Sequence, residues 1–586
     1  MSMAYFFERV SAFLRRHYLA LALMILVSLV YGSEHIFLKR FVLESGGSYY
    51  PVAIKGHFDE GYYAIRAARA LGGDFIVGDP ILREYQETPA SLPIATPLIF
   101  AGLGAVFGSL ASGYIASDFI LPPLIFFLVY LIAFEMTGRR LASLLFASVF
   151  IFAPKFGVWP SGGALPFFEP REFYFSRFDY PAATFPFFAV TLYFLARLVR
   201  RPSTKAGVFF GLSTGLLFYT YFFDWVYVAV ATSFIFFGAV IFGRQKIWRS
   251  LLSALPPIFL VSVFYWHNFL SLRSLSAFPD IIERIGVERG RMIRFSVVWF
   301  SYVRVILLSF LLSIFFKIKD KVLLVYLVGL ILPTLILLNI QLVTGFVPQP
   351  DHWQRTAFFG LALGVYFILL NVFYRFISGA VSVGIKKTVF VSIVAILIVW
   401  GFWNQHVVAK DNFSFYKTDK VYAEAYNWIL KNTSDQSIFG TLSPLTNDEL
   451  VLFTGRFVFV PNGFLTLAPT DEIWQRLMWF GRMSGLSAPA WESYVSTNTL
   501  HFFGDQYGNK SFNAYFKNFK REIPKDVLSA KAVDYERITA VEFPLKPNYV
   551  IIGPRERALG AKPLIGKNLR ERYNSSGVQI YEMTNE

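Results

Sequence analysis

The chain has 586 residues, of which 55% are hydrophobic, 19% aromatic and only 16% charged, with a mean hydropathy of +0.48. Soluble domains sit near about 45–50% apolar and about 25% charged, so a soluble multidomain enzyme is excluded, as is disorder, which needs low hydrophobicity and high charge. The net charge of +16 would suggest nucleic acid in a soluble protein, but residues 409–586 carry 21 Lys+Arg against 19 Asp+Glu; the excess therefore lies between the apolar runs of the first 408 residues, where the positive-inside rule puts cytoplasmic loops.

Arg9, Arg15 and Arg16 precede an apolar run over 18–38, about the 20 residues a spanning helix needs. Lys39 and Arg40 follow it in place of a small-residue cleavage site, which predicts a retained signal-anchor helix. Further apolar runs lie at 93–112, 117–137, 141–158, 182–200, 206–223, 226–243, 250–268, 295–316, 322–343, 356–374 and 388–408. The connections holding Arg197 to Lys205, Arg244 to Arg249, Lys317 to Lys321, and Arg375 with Lys386 and Lys387 are basic, and all fall on the cytoplasmic side if the N-terminus is inside. Arg139 and Arg140 join them only if 93–112 does not span. That segment holds Pro93, Pro97, Gly102, Gly104 and Gly108, poor helix material that suits an interfacial or re-entrant path.

The expected fold is therefore an α-helical polytopic membrane protein with about 11 spans plus an interfacial segment. It occupies residues 1–408, with external loops 39–116, 159–181, 269–294 and 344–355, and precedes an extracytoplasmic α/β domain over 409–586. In that domain the pattern predicts helices at 422–431 and 446–454 and strands at 437–440, 456–460, 549–553 and 578–582. The absence of cysteine removes disulfides, thiolate metal sites and Cys nucleophiles. No Walker-type phosphate loop, His-Glu-x-x-His or Gly-x-Ser-x-Gly run occurs.

Three external groups carry chemistry. After the first span comes Lys55-Gly-His57-Phe-Asp59-Glu60-Gly-Tyr62-Tyr63, followed by Arg66. Its carboxylates and imidazole suit a general base or a divalent cation, while Asp59 could equally be a favourable charge at its own helix N-terminus. The second, Glu169-Pro-Arg171-Glu172 through Arg177-Phe-Asp179-Tyr-Pro181, offers guanidinium groups that match phosphate, or is a solvated loop with Pro181 opening the next helix. The third, Asp351-His352-Trp353-Gln-Arg355, could meet phosphate or metal, or anchor the chain at the interface. Arg304 and Asp224 lie inside apolar runs, with Lys155 and His267 nearer their ends; ionisable residues in spans are functional candidates or internal ion pairs.

The order of these features resembles the GT-C superfamily of membrane glycosyltransferases, of the prokaryotic protein O-mannosyltransferase and aminoarabinose-transferase type. Asp59-Glu60-Gly-Tyr62-Tyr63 is similar to the acidic pair those enzymes carry after the first helix. Pro93-Ile-Ala-Thr-Pro97 with Val106-Phe-Gly108 resembles their Pro-rich entry to the next segment, without the lysine that usually precedes it. Ser176-Arg177-Phe-Asp179-Tyr-Pro181 is similar to their second acidic loop, His352-Trp-Gln-Arg355 to a late His/Arg motif, and Ala425-Tyr-Asn-Trp428 to the start of their C-terminal domain. The Trp-Trp-Asp-x-Gly signature of oligosaccharyltransferases is absent.

The resemblance implies an enzyme that moves a sugar from a polyprenyl-phosphate donor to a lipid, glycan or protein acceptor outside the plasma membrane of a prokaryote, with membrane lipids as partners and no nucleic acid. It implies Asp59 as general base with inversion at the anomeric carbon, and Glu60 and Asp179 as orienting groups. Tyr63, Arg66, Arg171, Arg177, Arg304, His352 and Arg355 would bind substrate. A divalent metal, if used, would sit on Asp59, Asp179 and His352. A transporter or flippase using Arg304 with Asp224, and a scaffold displaying residues 409–586, are the competing readings.

Overall fold

The computed structural model describes residues 3–55, 60–152, 170–293, 303–304, 306–308, 310–311, 314, 320–349, 352–353, 360–369, 382–508, 520–538, 546–562 and 569–584. The first helix, α1 (Met3–Glu44), has 42 residues, about 63 Å at the α-helical rise. It therefore extends at both ends beyond the 18–38 run and beyond the roughly 30 Å hydrocarbon core. A short strand β1 (Ser48–Tyr49) follows, then α2 (Glu60–Leu71), α3 (Ala95–Phe107), α4 (Leu110–Thr137) and α5 (Arg140–Ile151). At 13 residues, α3 covers about 20 Å and folds back on α4 through Gly108, whose φ of 86° closes the turn. The two helices meet where Gly104 lies against Gly113, an approach a Cβ would block. Ser109 caps α4, accepting from Ser112 N at 3.1 Å, and left-handed Gly138 ends it just before Arg139 and Arg140.

The bundle continues with α6 (Phe185–Arg200), α7 (Thr204–Leu217), α8 (Phe222–Ile241), α9 (Gln245–Leu252) and α10 (Leu255–Arg273). On α7, Gly207, Gly211 and Gly215 recur every fourth residue and face Ser250, Ala254 and Val261, so the backbones of α7 and α9–α10 touch. Then come α11 (Phe278–Ile285), β2 (Val287–Arg289), α12 (Lys321–Ile331), β3 (Phe346–Pro348), α13 (Gly360–Leu369) and α14 (Val383–Asn412). The expected span 322–343 is not one helix: Pro333 opens a separate turn, Pro333–Leu337, after α12. Among the described residues six helical stretches are long and apolar enough to cross a membrane: Val10–Glu44, Leu110–Thr137, Phe178–Arg200, Phe222–Ile241, Gln245–Arg273 and Val383–Tyr416. The chain is a multi-pass membrane protein.

Helix α14 runs past residue 408 to Asn412, so the change of character falls a turn later than the hydropathy suggests. Strand β4 (Lys417–Thr418) pairs antiparallel with β1 and ties the two chain regions together. A sheet follows in the order β6-β5-β7-β9-β8, from β5 (Ile438–Gly440), β6 (Phe457–Val458), β7 (Tyr549–Ile552), β8 (Leu569–Ser575) and β9 (Val578–Met583). The first three run parallel, and β9 and β8 close one edge antiparallel. Against the sheet pack α15 (Lys420–Asn432) and α16 (Pro444–Thr454), while α17 (Thr470–Met483), α18 (Ala488–Thr497) and α19 (Lys525–Arg537) pack on one another.

Candidate active site between the second helix and the 170–184 segment

Helix α2 lies between the bundle and the C-terminal sheet region, and buried charges hold it there. Arg69 donates to Pro80 O at 2.9 Å and Gly455 O at 2.7 Å, and its guanidinium stacks 3.9 Å over the Phe457 ring. Asp79 accepts from Ile81 N and Leu82 N, both at 2.9 Å, and from Thr466 Oγ1 at 2.7 Å and Leu467 N at 2.8 Å. Arg284 of α11, almost fully buried, donates to Gly463 O at 3.0 Å, Thr470 Oγ1 at 3.1 Å, Thr466 O at 3.1 Å and Ala468 O at 2.8 Å. Burial lowers it to about 10, so it stays charged at neutral pH.

At the other end of α2, Glu60 is its first helical residue and is buried. One carboxylate oxygen accepts from Ala53 N at 3.3 Å, and the other lies 3.9 Å from Arg177 Nε. Two residues on, the buried Asp179 sits in the irregular turn Phe178–Ala183 that leads into α6. Arg66, two turns along α2 from Glu60, is buried. Its Nη1 and Nη2 are committed to the Pro93 and Leu92 carbonyls at 3.1 and 2.9 Å, and burial lowers it to about 10. Tyr63 shares the α2 face of Arg66 and is half-buried.

His352 reaches this group through rings. Its Nδ1 lies 2.5 Å from the Tyr221 hydroxyl, and the Tyr221 ring stacks on Tyr180 with centroids 3.9 Å apart, next to Asp179. Arg171 is exposed at its side chain, but its backbone is held by the Asn404 amide: Arg171 N donates to Oδ1 and Nδ2 donates to Arg171 O, both at 2.9 Å. Arg304 is exposed, and no interaction among the described residues joins it to the others or to Asp224, which is buried in the first turn of α8. Asp59 and Arg355 lie outside the described residues, as do Glu169 and Asp351. Among the described residues no group of three or more His, Asp or Glu side chains is placed to hold a metal, and one nitrogen of His352 is already engaged by Tyr221.

Sequence reasoning missed the polar network under this segment. His35 bridges Asp118 Oδ2 (Nε2, 3.0 Å) and the Tyr49 hydroxyl (Nδ1, 2.6 Å), with Phe178 packed parallel to its ring at 6.0 Å. Gln405 Nε2 donates to Glu34 Oε2 at 3.1 Å and reaches Ser176 Oγ at 3.5 Å. Glu34, His35, Asp118, Asn404 and Gln405 are all buried. The signal was available: Glu34-His35 and Asp118 interrupt apolar runs just as Arg304 and Asp224 do.

The fold and site together define a multi-pass helical membrane protein whose buried acidic and cationic groups gather where the bundle meets the C-terminal region. No protein-family model and no curated protein sequence matches the chain. Among solved structures it is similar to ArnT from Cupriavidus metallidurans bound to undecaprenyl phosphate, at 12% identity and a TM-score of 0.50, over 96% of this chain and 97% of that one. The apo form of the same protein matches at 11% identity and a TM-score of 0.48, over 96% and 97%. The chain has an ArnT-like fold.

Proposed function

We propose that the protein is an integral-membrane glycosyltransferase that moves a sugar from a polyprenyl-phosphate donor to an acceptor on the non-cytoplasmic face of the plasma membrane. The observation that carries this reading is the buried Glu60 facing Arg177 at 3.9 Å, with Asp59 preceding Glu60 in the sequence, in an ArnT-like fold. In the transfer, the acceptor oxygen attacks the anomeric carbon from the face opposite the phosphate. The acceptor O–H and the sugar C1–O(phosphate) bonds break, the new C1–O bond forms with inversion, and polyprenyl phosphate leaves. Asp59 takes the acceptor proton. Arg177 meets the charge that grows on the departing phosphate, where a preplaced cation lowers the barrier most. Glu60 orients Arg177, and Arg66 holds the 92–93 turn in place. The transport reading needs Arg304 and Asp224 as a pair, and nothing in their placement favours it.

The test uses full-length protein in nanodiscs with a polyprenyl-phosphate-linked sugar, reading release of polyprenyl phosphate. Asp59→Asn and Asp179→Asn should abolish release while donor binding persists; near-native release by Asp59→Asn overturns the assignment. Single cysteines at exposed Ser434 and Ser203, in a chain that has none of its own, test sidedness. An impermeant maleimide on intact cells should label the first and spare the second.

A further inference from the structure

Helix α6 leads away from the Asp179 turn and carries the chain through 16 residues, about 24 Å at the α-helical rise, to Arg200 at the other end of the bundle. Two carboxylates meet arginines there: Asp320 Oδ2 lies 2.7 Å from Arg200 Nη1, and Glu135 Oε1 lies 3.5 Å from Arg201 Nε. No Asp or Glu occurs from residue 225 to 279, so α9 and its flanks supply cations alone. Lys205, Arg244, Lys246 and Arg249 are all exposed, and among the described residues none of the four forms an ion pair.

Helix α9 gathers these charges. Its residues Ile247, Ser250 and Leu251 are buried, the spacing of a face that packs, while Lys246 and Arg249 lie one turn apart on the face left open. The buried face seats on the start of α7: Ser253 Oγ, just past α9, lies 3.4 Å from Thr204 O, and a Cβ on Gly207 would collide with Ser250 O. The first turn of α7, with Lys205, is thereby set against the end of α9. The Arg249 guanidinium rests 5.5 Å over the ring of Trp248, a residue type that favours the bilayer interface.

Large apolar side chains flank the charges. Ile241 and Phe242, where α8 ends, are 76% and 71% exposed, and Leu252 at the end of α9 is 44% exposed. A soluble polyanion would neutralise the cations and leave these side chains in water. An anionic lipid satisfies both, with its phosphate at the cations and its acyl chains along the apolar residues. A zwitterionic lipid brings a cation with its phosphate, so the excess positive charge would stay. We infer that α9 and the first turn of α7 form a docking surface for anionic phospholipids, recognised through a phosphodiester headgroup of net negative charge. The surface lies at the far end of α6 from Asp179, and the inference does not rest on the transferase reading.

Full-length protein in detergent micelles, titrated with phosphatidylglycerol or phosphatidylcholine of the same acyl chains and read by native mass spectrometry, gives the ratio of the two binding constants. The parent should prefer phosphatidylglycerol, and Lys246→Gln with Arg249→Gln should lower that preference about 25-fold, about fivefold for each charge removed. Lys431→Gln with Lys525→Gln, which removes two exposed charges from the C-terminal region, should leave it unchanged. Should the α9 variant fail to fold, Lys205→Gln with Arg244→Gln repeats the test on the other two charges. Equal binding of the two lipids by the parent, or a preference undiminished in the α9 variant, overturns the inference. So does an equal loss in the C-terminal variant, which would reflect net charge alone. Displacement of phosphatidylglycerol by an equimolar short oligonucleotide also overturns it, by making the surface a site for soluble polyanions.

Discussion

Asn404→Leu isolates the contribution of the scaffold under the 170–184 segment. Leucine approximates the asparagine's volume, and position 404 is fully buried in α14, so no cavity and no new charge are introduced. What is lost is the reciprocal pair at 2.9 and 2.9 Å that fixes the Arg171 backbone. Each hydrogen bond contributes about 1 kcal/mol net, and a buried backbone group deprived of its partner costs about 1–3 kcal/mol. Partial rehydration of the half-exposed loop removes some of that, leaving roughly 2–4 kcal/mol in all. At about 1.36 kcal/mol per decade, this shifts the balance between held and released loop by about 30- to 900-fold. The loop carries Arg177 and Asp179, so turnover should fall with kcat affected more than the apparent affinity for a donor whose lipid tail binds elsewhere. Polyprenyl-phosphate release at saturating donor, with thermal unfolding of the same nanodiscs, reads both numbers. Full turnover together with an unchanged unfolding temperature would refute the claim that α14 positions this segment.

Further perturbations address the other buried charges. Asp118→Asn replaces the carboxylate that lies 3.0 Å from His35 Nε2 and should cost about 0.5–1.5 kcal/mol, the net worth of one ordinary intramolecular polar contact; in the His35→Leu background the same change should cost far less, and equal costs in both backgrounds contradict the pairing. Arg284→Met removes four donations into the 463–470 loop and should accelerate amide exchange there and around Asp79 more than in the β7–β9 strands; uniform exchange across both regions argues against a local bolt. Burial pushes Asp448 up to about 7 and His501, whose Nδ1 lies 3.8 Å from it, down to about 3. A carboxyl raised in the folded state favours folding at low pH and loses that contribution as pH climbs from its unfolded value near 4 towards 7. Asp448→Asn should therefore gain stability over the parent progressively between pH 4 and pH 7, whereas the depressed His501 stabilises above about 6.5 in both proteins and cancels in the difference. A difference that is flat with pH counts against a buried, proton-holding Asp448.

The sequence made legible whatever depends on local pattern. Hydropathy located long helices such as Phe222–Ile241 and Val383–Asn412 to within about a turn, because a bilayer forces continuous apolar helix. Alternation and turn residues located β5, β6, β7 and β9. Strand β8, Leu-Arg-Glu-Arg-Tyr-Asn-Ser, escaped because it is an edge strand with charges on its outward residues, which breaks the apolar alternation that the reading depends on. Helix α19 escaped because six of its 13 residues are charged, which leaves little apolar periodicity to read. The acidic loops were legible as short motifs, but their partnerships were not: no spacing rule joins Glu60 to Arg177, or Asn404 to Arg171, across 117 and 233 residues of chain.

The described buried arginines around α2 divide by what they touch. Arg66, Arg69 and Arg284 donate mainly to backbone carbonyls, groups present whatever the side chains are, so they hold loops together without depending on any particular partner residue. Such a clamp also leaves nearby carboxylates with their charge undiminished by a direct ion pair. Arg177 instead faces a side-chain carboxylate, Glu60 Oε1, 3.9 Å from its Nε. Arginines that grip the backbone and an arginine that faces a carboxylate are separable by mutation. Replacing Arg69 or Arg284 with methionine should lower stability first and turnover only as a consequence, while Arg177→Met should lower turnover in a protein that unfolds at nearly the parental temperature. If Arg177→Met proves the most destabilising of the three, Arg177 belongs with the clamps and the phosphate must be met elsewhere.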